Sequence, residues 1–232
     1  MYADFPHESR KLVERIVFLH VSKIREFYDS KFWFNSNHGV FHALAILNIA
    51  QIEPFSLSDY GLARFGTLYL EISLEGILSF EDFFTLEQSV YYHQLAINLL
   101  ETIPSEMLQK TSLNVDVAML IPKMIDTNYW VTVDNQLMIP LGDTAYGANI
   151  PKDYASEIYP ADKMKTFSDC GFSIYKSKTI GGKYDHVSFQ HQTQRGPHGH
   201  FDALSMTISH QNVPFLVDSG GPYKSVSYTH LR

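Results

Sequence analysis

The spacing of hydrophobic residues in this chain changes near Asp126, and this change limits the folds that the chain can adopt. Before that point, apolar residues recur every three or four positions, which is typical of amphipathic helices. Capping residues and prolines divide the region into helices with short links, as in antiparallel helical hairpins. The predicted helices are Glu8–Tyr28, Val40–Ile52, Ser58–Phe80, Thr85–Ile103 and Glu106–Ile121, with Pro122 ending the last of them.

After Asp126 the apolar residues fall into short runs that predict strands. Tyr129–Val133 is strand-like, and Gln136–Asn149 is rich in Gly, Asp and Pro, which predicts an ordered loop. Helices followed by strands indicate an α+β multidomain chain. We expect a helical portion at 1–125, a linker region at 126–166 and a β portion at 167–232. The later predicted strands are Gly171–Lys176, His186–His191, Ala203–Ser209 and Pro214–Asp218.

Composition excludes some classes of partner. The formal net charge is −7, which argues against nucleic acid because phosphate-binding proteins usually carry a basic stripe. An acidic polysaccharide stays open as a partner, since a local basic groove can act within an acidic protein. Cys170 is the single cysteine, so no intramolecular disulfide can form. No apolar run is long enough to span a membrane, and no signal-peptide pattern follows Met1.

The segment from Arg195 to Tyr223 carries the densest chemistry in the chain. His198 and His200 lie two residues apart, so in an extended segment both side chains point to one face. Gln211 and Asn212 predict a turn, after which a return strand would bring Asp218 back towards His200. Two imidazoles and a carboxylate could begin a zinc site. A structural network of surface residues is the alternative, because zinc needs a further ligand. The remaining histidines, considered by elimination, are His186, His191, His210 and His230.

The sequence Ser36–Gly39 lies at the start of the second predicted helix, where Ser36 or Asn37 could be the N-cap. Capping is therefore one interpretation of this motif. The other is that Asn37 and His38 donate hydrogen bonds to a substrate carboxylate, since a helix N-terminus favours an anion.

Tyr91 and Tyr92 lie in the fourth predicted helix, about 100° apart around its axis. One interpretation packs one ring in the core and leaves the other at its edge. The other makes one of them a proton-transfer group. A free tyrosine titrates near 10, so it would then need cationic or hydrogen-bonding neighbours. The nearby acids Glu81, Asp82 and Glu87 fall at a predicted helix start, where acids are expected, and they form no evident catalytic pair.

Together these motifs resemble the heparinase II/III-like polysaccharide lyases, which include heparin and heparan sulfate lyases and related alginate lyases. The resemblance covers most of residues 30–223, and the motifs follow the family's order. The stretches that carry it are Ser36–Gly39, Glu87–His93, Asp134–Asp143, His198–Ser205 and Pro214–Gly220.

The resemblance implies the C-terminal part of an α/α toroid followed by the start of an antiparallel β-sandwich. It implies cleavage of a uronate-containing polysaccharide by β-elimination. By position, Asn37 and His38 would neutralise the uronate carboxylate, and Tyr92 would act as catalytic base, acid or both. His198 would be a second proton-transfer residue. A structural zinc ion would be held by His200 and Asp218, with the family's third ligand beyond Arg232.

The resemblance further implies a periplasmic or secreted protein of which this chain is an internal fragment. Three rival functions remain open at this point. A non-catalytic uronan-binding module would bind the polymer without forming product. A toroid glycoside hydrolase would depend on carboxylates such as Glu87 and give saturated products. A metal-dependent hydrolase would use His198, His200 and Asp218.

Overall fold

The computed structural model describes residues 5–31, 36–52, 61–113, 116–134, 136–156, 160, 163–191 and 204–217. These residues form a mixed structure of helices and antiparallel sheets. The chain divides into two compact units. The first unit comprises Met1–Gly76 and Ser105–Asn114, and the second comprises Ile77–Pro104 and Val115–Arg232.

The helices of the described residues are α1 (His7–Asp29), α2 (Asn37–Ile49), α3 (Leu62–Ile77), α4 (Val90–Thr102), α5 (Ser105–Leu108) and α6 (Val117–Thr127). The first predicted helix is confirmed to within one residue at each end. No helix among the described residues is both long and apolar enough to cross a membrane.

Helices α2 and α3 of the first unit approach closely at Gly66. A Cβ atom at this position would lie 2.8 Å from Leu47 Cγ and 3.1 Å from Ile46 Cγ2. Both side chains belong to the buried face of α2. The absence of a side chain at Gly66 therefore permits this packing.

A short hairpin replaces the predicted continuation of α3. Strand β1 (Leu78–Ser79) pairs with β2 (Phe84–Thr85), and α4 begins only at Val90. The predictions that α3 reaches Phe80 and that α4 begins at Thr85 are therefore wrong. The spacing of Ile77, Leu78 and Phe80 favours a continued helix, but the chain turns after Ser79, and Phe83 adopts a φ of 53° within that turn.

The predicted helix Glu106–Ile121 is also wrong, since α5 ends at Leu108 and α6 begins at Val117. Asp116 restarts the helix by accepting a hydrogen bond from the Ala118 amide at 3.0 Å. Pro122 lies inside α6 rather than ending it. The Ala118 carbonyl, which would accept the missing proline N–H, belongs to an exposed residue where water can replace that donor.

The β portion forms one antiparallel sheet in chain order. Two residues, Gln211 and Asn212, join its last two strands, and their φ angles of 50° and 65° fit a type I′ turn. The predicted turn is confirmed. The strands are β3 (Met164–Phe167), β4 (Phe172–Lys178), β5 (Tyr184–Gln190), β6 (Met206–His210) and β7 (Val213–Leu216).

One face of this sheet packs on the main hydrophobic cluster of the second unit. Phe172, Ile174 and Tyr184 are buried against the segment that follows α6. That segment, Tyr129–Val133, was predicted as a strand but continues the helix in turns, with Thr132 in an isolated bridge to Met138. Its buried side chains connect the helical and sheet parts of the unit.

Candidate functional site

Tyr92 lies in the first turn of α4 and is nearly buried, with 5% of its surface exposed. The neighbouring Tyr91 is 51% exposed, and the two rings meet edge to face with centroids 5.6 Å apart. Tyr92 thus packs inward and Tyr91 lies at the edge, whereas a proton-transfer role for either ring stays a prediction. Of the two tyrosines, Tyr92 is therefore the one that the fold buries.

Two buried hydroxyl groups cap the N-terminus of α4. Ser89 Oγ accepts a hydrogen bond from the Tyr92 amide at 3.5 Å. Thr144 Oγ1 accepts from the Val90 amide at 2.9 Å and from the Tyr91 amide at 3.2 Å. The two hydroxyls also lie 3.1 Å apart. Sequence reasoning missed Thr144, because it lies 54 residues from Val90 along the chain.

Thr144 reaches this position from the loop that was predicted to resemble the family's linker. Leu141 and Ile139 anchor the loop in the hydrophobic cluster. Gly142 then takes a φ of 56°, and the Thr144 amide donates to the Leu141 carbonyl at 3.2 Å. The tight turn at Gly142 thus delivers the threonine hydroxyl to the start of α4.

His93 fixes the same turn of α4 from its buried side. Its Nε2 lies 3.0 Å from the Met124 carbonyl, and its ring stacks on Phe84 at 4.3 Å. Burial lowers the pKa of His93 to about 4, so its imidazole is neutral at physiological pH. His93 is therefore a structural neighbour of Tyr92 rather than a proton donor.

Asn37 and His38 lie in the first turn of α2, in the first unit. Ser36 is the N-cap residue, and it makes no side-chain capping bond. Asn37 is 8% exposed, whereas His38 is exposed. One turn later, burial and the nearby His38 lower the pKa of His42, whose Nδ1 lies 3.2 Å from the Tyr69 hydroxyl. An exposed imidazole at a helix N-terminus suits contact with an anion.

The predicted residues His198, His200 and Asp218 lie outside the described residues. Within the described ranges, no group of three or more His, Cys, Asp or Glu side chains could hold a metal ion. The zinc site therefore stays a prediction.

The other histidines considered as ligands have different surroundings. His186 is fully buried, and its Nε2 lies 3.2 Å from the Trp130 carbonyl. Burial lowers its pKa to about 3. His210 Nδ1 lies 2.9 Å from Asp185 Oδ1, where β5 begins and β6 ends, and both His210 and His191 are exposed.

Asp82 has a structural role that the sequence did not indicate. Its carboxylate accepts hydrogen bonds from the amides of Ser168 at 3.2 Å, Asp169 at 2.8 Å and Cys170 at 3.1 Å. The hairpin β1–β2 is thereby joined to the turn between β3 and β4. Asp82 lies in this hairpin, so the prediction that it lies at a helix start is wrong. Glu87 is also buried, at 1% exposure.

Lys176 is the most deeply buried cation described, with 1% of its surface exposed. Its ammonium donates to the Tyr129 carbonyl and, at 2.7 Å, to the Thr132 carbonyl. It also lies 4.7 Å from the Tyr184 ring centroid. Burial lowers the pKa of Lys176 to about 7. The lysine thus caps carbonyls that follow α6.

Comparison with solved structures shows what this fold is similar to. The crystal structure of heparan sulfate lyase HepC from Pedobacter heparinus matches 85% of this chain with a TM-score of 0.54 and 15% sequence identity. A mutant of that lyase matches 83% with a TM-score of 0.53 and 13% identity. The matches cover 35% and 33% of those chains, so this chain spans about a third of their length. Neither the protein-family models nor the curated proteins give a match.

Proposed function

We propose that this protein belongs to a polysaccharide lyase that cleaves a uronate-containing polymer by β-elimination. The observation that carries the proposal is the likeness of its fold to that of a heparan sulfate lyase, over 85% of the chain. At 15% identity this likeness concerns the fold, so the chemistry must be argued from the residues. The proposed architecture is the end of an α/α toroid at 1–125, a linker at 126–166 and the start of a β-sandwich at 167–232.

Tyr92 is the proposed proton-transfer residue. Its phenol belongs to the first turn of α4, where the positive end of the helix dipole favours a negative side chain. A tyrosinate there would take the C5 proton of the uronate. The C4–C5 double bond then forms as the bond from C4 to the glycosidic oxygen breaks. The phenol of Tyr92, or His198, would supply the proton that the leaving oxygen needs.

Asn37 and His38 are the proposed contacts to the uronate carboxylate. The C5 proton is a poor acid while that carboxylate keeps its full charge. Hydrogen bonds from an amide and an imidazole would stabilise the enolate-like charge that develops as the proton leaves. Both residues lie in the first turn of α2, whose dipole favours the same anion. No water attacks in this reaction, so no pair of catalytic carboxylates is required.

The zinc ion and the localisation are proposed on the sequence motifs. His200 and Asp218 offer an imidazole and a carboxylate, donors that zinc accepts in proteins. A zinc ion bound there would stabilise the hairpin that carries His198. The proposed compartment is the periplasm or the cell exterior, where an acidic polysaccharide substrate is encountered.

The test uses absorbance in the short ultraviolet during incubation with a panel of uronate polymers. Elimination leaves an unsaturated uronate that absorbs there, so we expect the signal to rise with one class of polymer. Tyr92→Phe should abolish the rise while leaving the circular dichroism spectrum unchanged. Tyr91→Phe is the matched control, because Tyr91 is the exposed neighbour on the same helix, and it should keep its activity.

Other outcomes would contradict the proposal in different ways. New reducing ends without the absorbance rise would indicate a hydrolase. Polymer binding without either signal would favour a binding module. Full turnover by Tyr92→Phe would remove Tyr92 from the mechanism while leaving the lyase activity itself established.

A further inference from the structure

We infer that Thr144 is a positioning residue for Tyr92, an inference that rests on the proposed role of Tyr92 in proton transfer. The hydroxyl of Thr144 is fully buried at the N-terminus of α4. It accepts from the Val90 amide at 2.9 Å and from the Tyr91 amide at 3.2 Å. An α-helix has no internal acceptors for the amides of its first turn, so Thr144 supplies the acceptor that these two amides lack within the helix.

The number of hydrogen bonds that Thr144 can make determines which hydroxyl donates in its contact with Ser89. A threonine hydroxyl has two acceptor lone pairs and one proton to donate. Because two amides occupy the lone pairs of Thr144, its proton is left for Ser89 Oγ, 3.1 Å away. Ser89 Oγ in turn accepts from the Tyr92 amide at 3.5 Å. The chain Thr144–Ser89–Tyr92 thus joins the loop hydroxyl to the backbone of the tyrosine.

This arrangement differs from an ordinary N-cap, in which one local side chain satisfies the first turn. Thr144 comes from a loop 54 residues away and is placed by the turn at Gly142. The orientation of the first turn of α4 therefore depends on that loop. A shift of the turn moves the Tyr92 phenol with it, and a misplacement of about 1 Å can cost about 100-fold in rate.

The test compares Thr144→Val with Thr144→Ser. Valine keeps the size of threonine but cannot accept the two amide bonds, whereas serine keeps the hydroxyl. We expect Thr144→Val to lower kcat about 10- to 100-fold with little change in KM, and Thr144→Ser to restore most of the turnover. Rates are expressed per folded molecule, measured by near-ultraviolet circular dichroism well below the melting temperature.

A second readout does not depend on catalysis. Protein labelled with carbon-13 at the tyrosine ζ carbon gives a Tyr92 resonance, assigned by its loss in Tyr92→Phe. We expect Thr144→Val to move this resonance and its pH titration, and Thr144→Ser to leave both near the wild-type values. If Thr144→Val does not fold, Thr144→Cys replaces it, since a thiol is a weak acceptor and should shift both readouts in the same direction.

The two readouts separate the possible failures. A lower kcat with an unmoved Tyr92 resonance, or a moved resonance with an unchanged kcat, would overturn the inference. A lower melting temperature, with kcat and the Tyr92 resonance both unchanged, would mean that Thr144 is only a structural cap and would also overturn the inference. If the wild-type protein forms no unsaturated product, the proposed function has failed, and the Tyr92 resonance alone decides whether Thr144 positions that side chain.

Discussion

Replacing Lys176 with methionine should change how the stability of this protein depends on pH. Burial lowers the pKa of Lys176 from 10.5 to about 7 in the folded protein. Between these values the unfolded chain keeps a proton that the folded protein has released. The free energy of unfolding therefore rises with pH in this window, by about 1.4 kcal/mol per pH unit for one proton. Lys176→Met removes this contribution.

From pH 7 to pH 10, wild-type protein should gain about 3–4 kcal/mol relative to Lys176→Met. The variant also loses the hydrogen bonds to the carbonyls of Tyr129 and Thr132, which costs about 1–3 kcal/mol for each carbonyl left without a donor. The loss of these hydrogen bonds lowers the stability of the variant by the same amount at each pH. The slope of the difference between the two proteins against pH therefore isolates the titration of the buried ammonium.

Urea unfolding followed by tryptophan fluorescence at pH 7, 8, 9 and 10 measures this slope. Lys178→Met is the matched control, because Lys178 lies on the same strand but is exposed, and its curve should stay parallel to that of wild type. Parallel curves for Lys176→Met would refute the reasoning. They would mean that folded Lys176 keeps its proton throughout this range.

Two further predictions concern α4 and the contact between α2 and α3. The pKa of His93 falls from 6.5 to about 4 on folding, so stability decreases as pH drops below 6.5. His93→Phe should reduce that acid-side slope by about 1.4 kcal/mol per pH unit in urea titrations, and an unchanged slope would contradict it. Gly66→Ala should cost about 1–3 kcal/mol, because its Cβ would lie 2.8 Å from Leu47 Cγ. In a double-mutant cycle, the variant that carries both Gly66→Ala and Leu47→Ala should lose less stability than the sum of the losses in the two single variants. Strict additivity would contradict the packing argument.

Local patterns in the sequence predicted the elements that depend on local interactions. The amphipathic stripe of α1 lies within one segment, and its ends were predicted to within one residue. The turn at Gln211 and Asn212 was also predicted, because asparagine is a common turn residue that tolerates positive φ. Pro122 was predicted to end a helix, but it lies inside α6. The prediction failed because Asp116 starts a new helix only a few residues earlier, so Pro122 falls within that helix.

Elements fixed by distant residues could not be predicted in this way. The hairpin β1–β2 depends on Asp82, whose hydrogen-bond donors lie 86 to 88 residues later. The start of α4 depends likewise on Thr144. Hydrophobic periodicity contains no information about either contact, so the sequence predicted one helix up to Phe80 and another from Thr85 in place of the hairpin.

The candidate site likewise has features that local spacing predicts and features that depend on distant residues. Helical spacing indicated that Tyr91 and Tyr92 face different ways, and the structure gives exposures of 51% and 5%. The Thr144 hydroxyl that caps the turn was not foreseen, because it comes from a loop 54 residues away from Val90. The roles of Asn37, His38 and His198 stay predictions, as does zinc binding by His200 and Asp218.

The bonds made by Asp82 have a consequence for synthesis of the protein. A ribosome adds about 5–20 residues per second, so the amides of Ser168 to Cys170 follow Asp82 by roughly 4–18 seconds. Throughout that interval the nascent hairpin carries a carboxylate whose donors do not yet exist. The contacts that Asp82 makes within the second unit can therefore form only after Cys170 has been synthesised, and α4 is synthesised before the Thr144 hydroxyl that caps it.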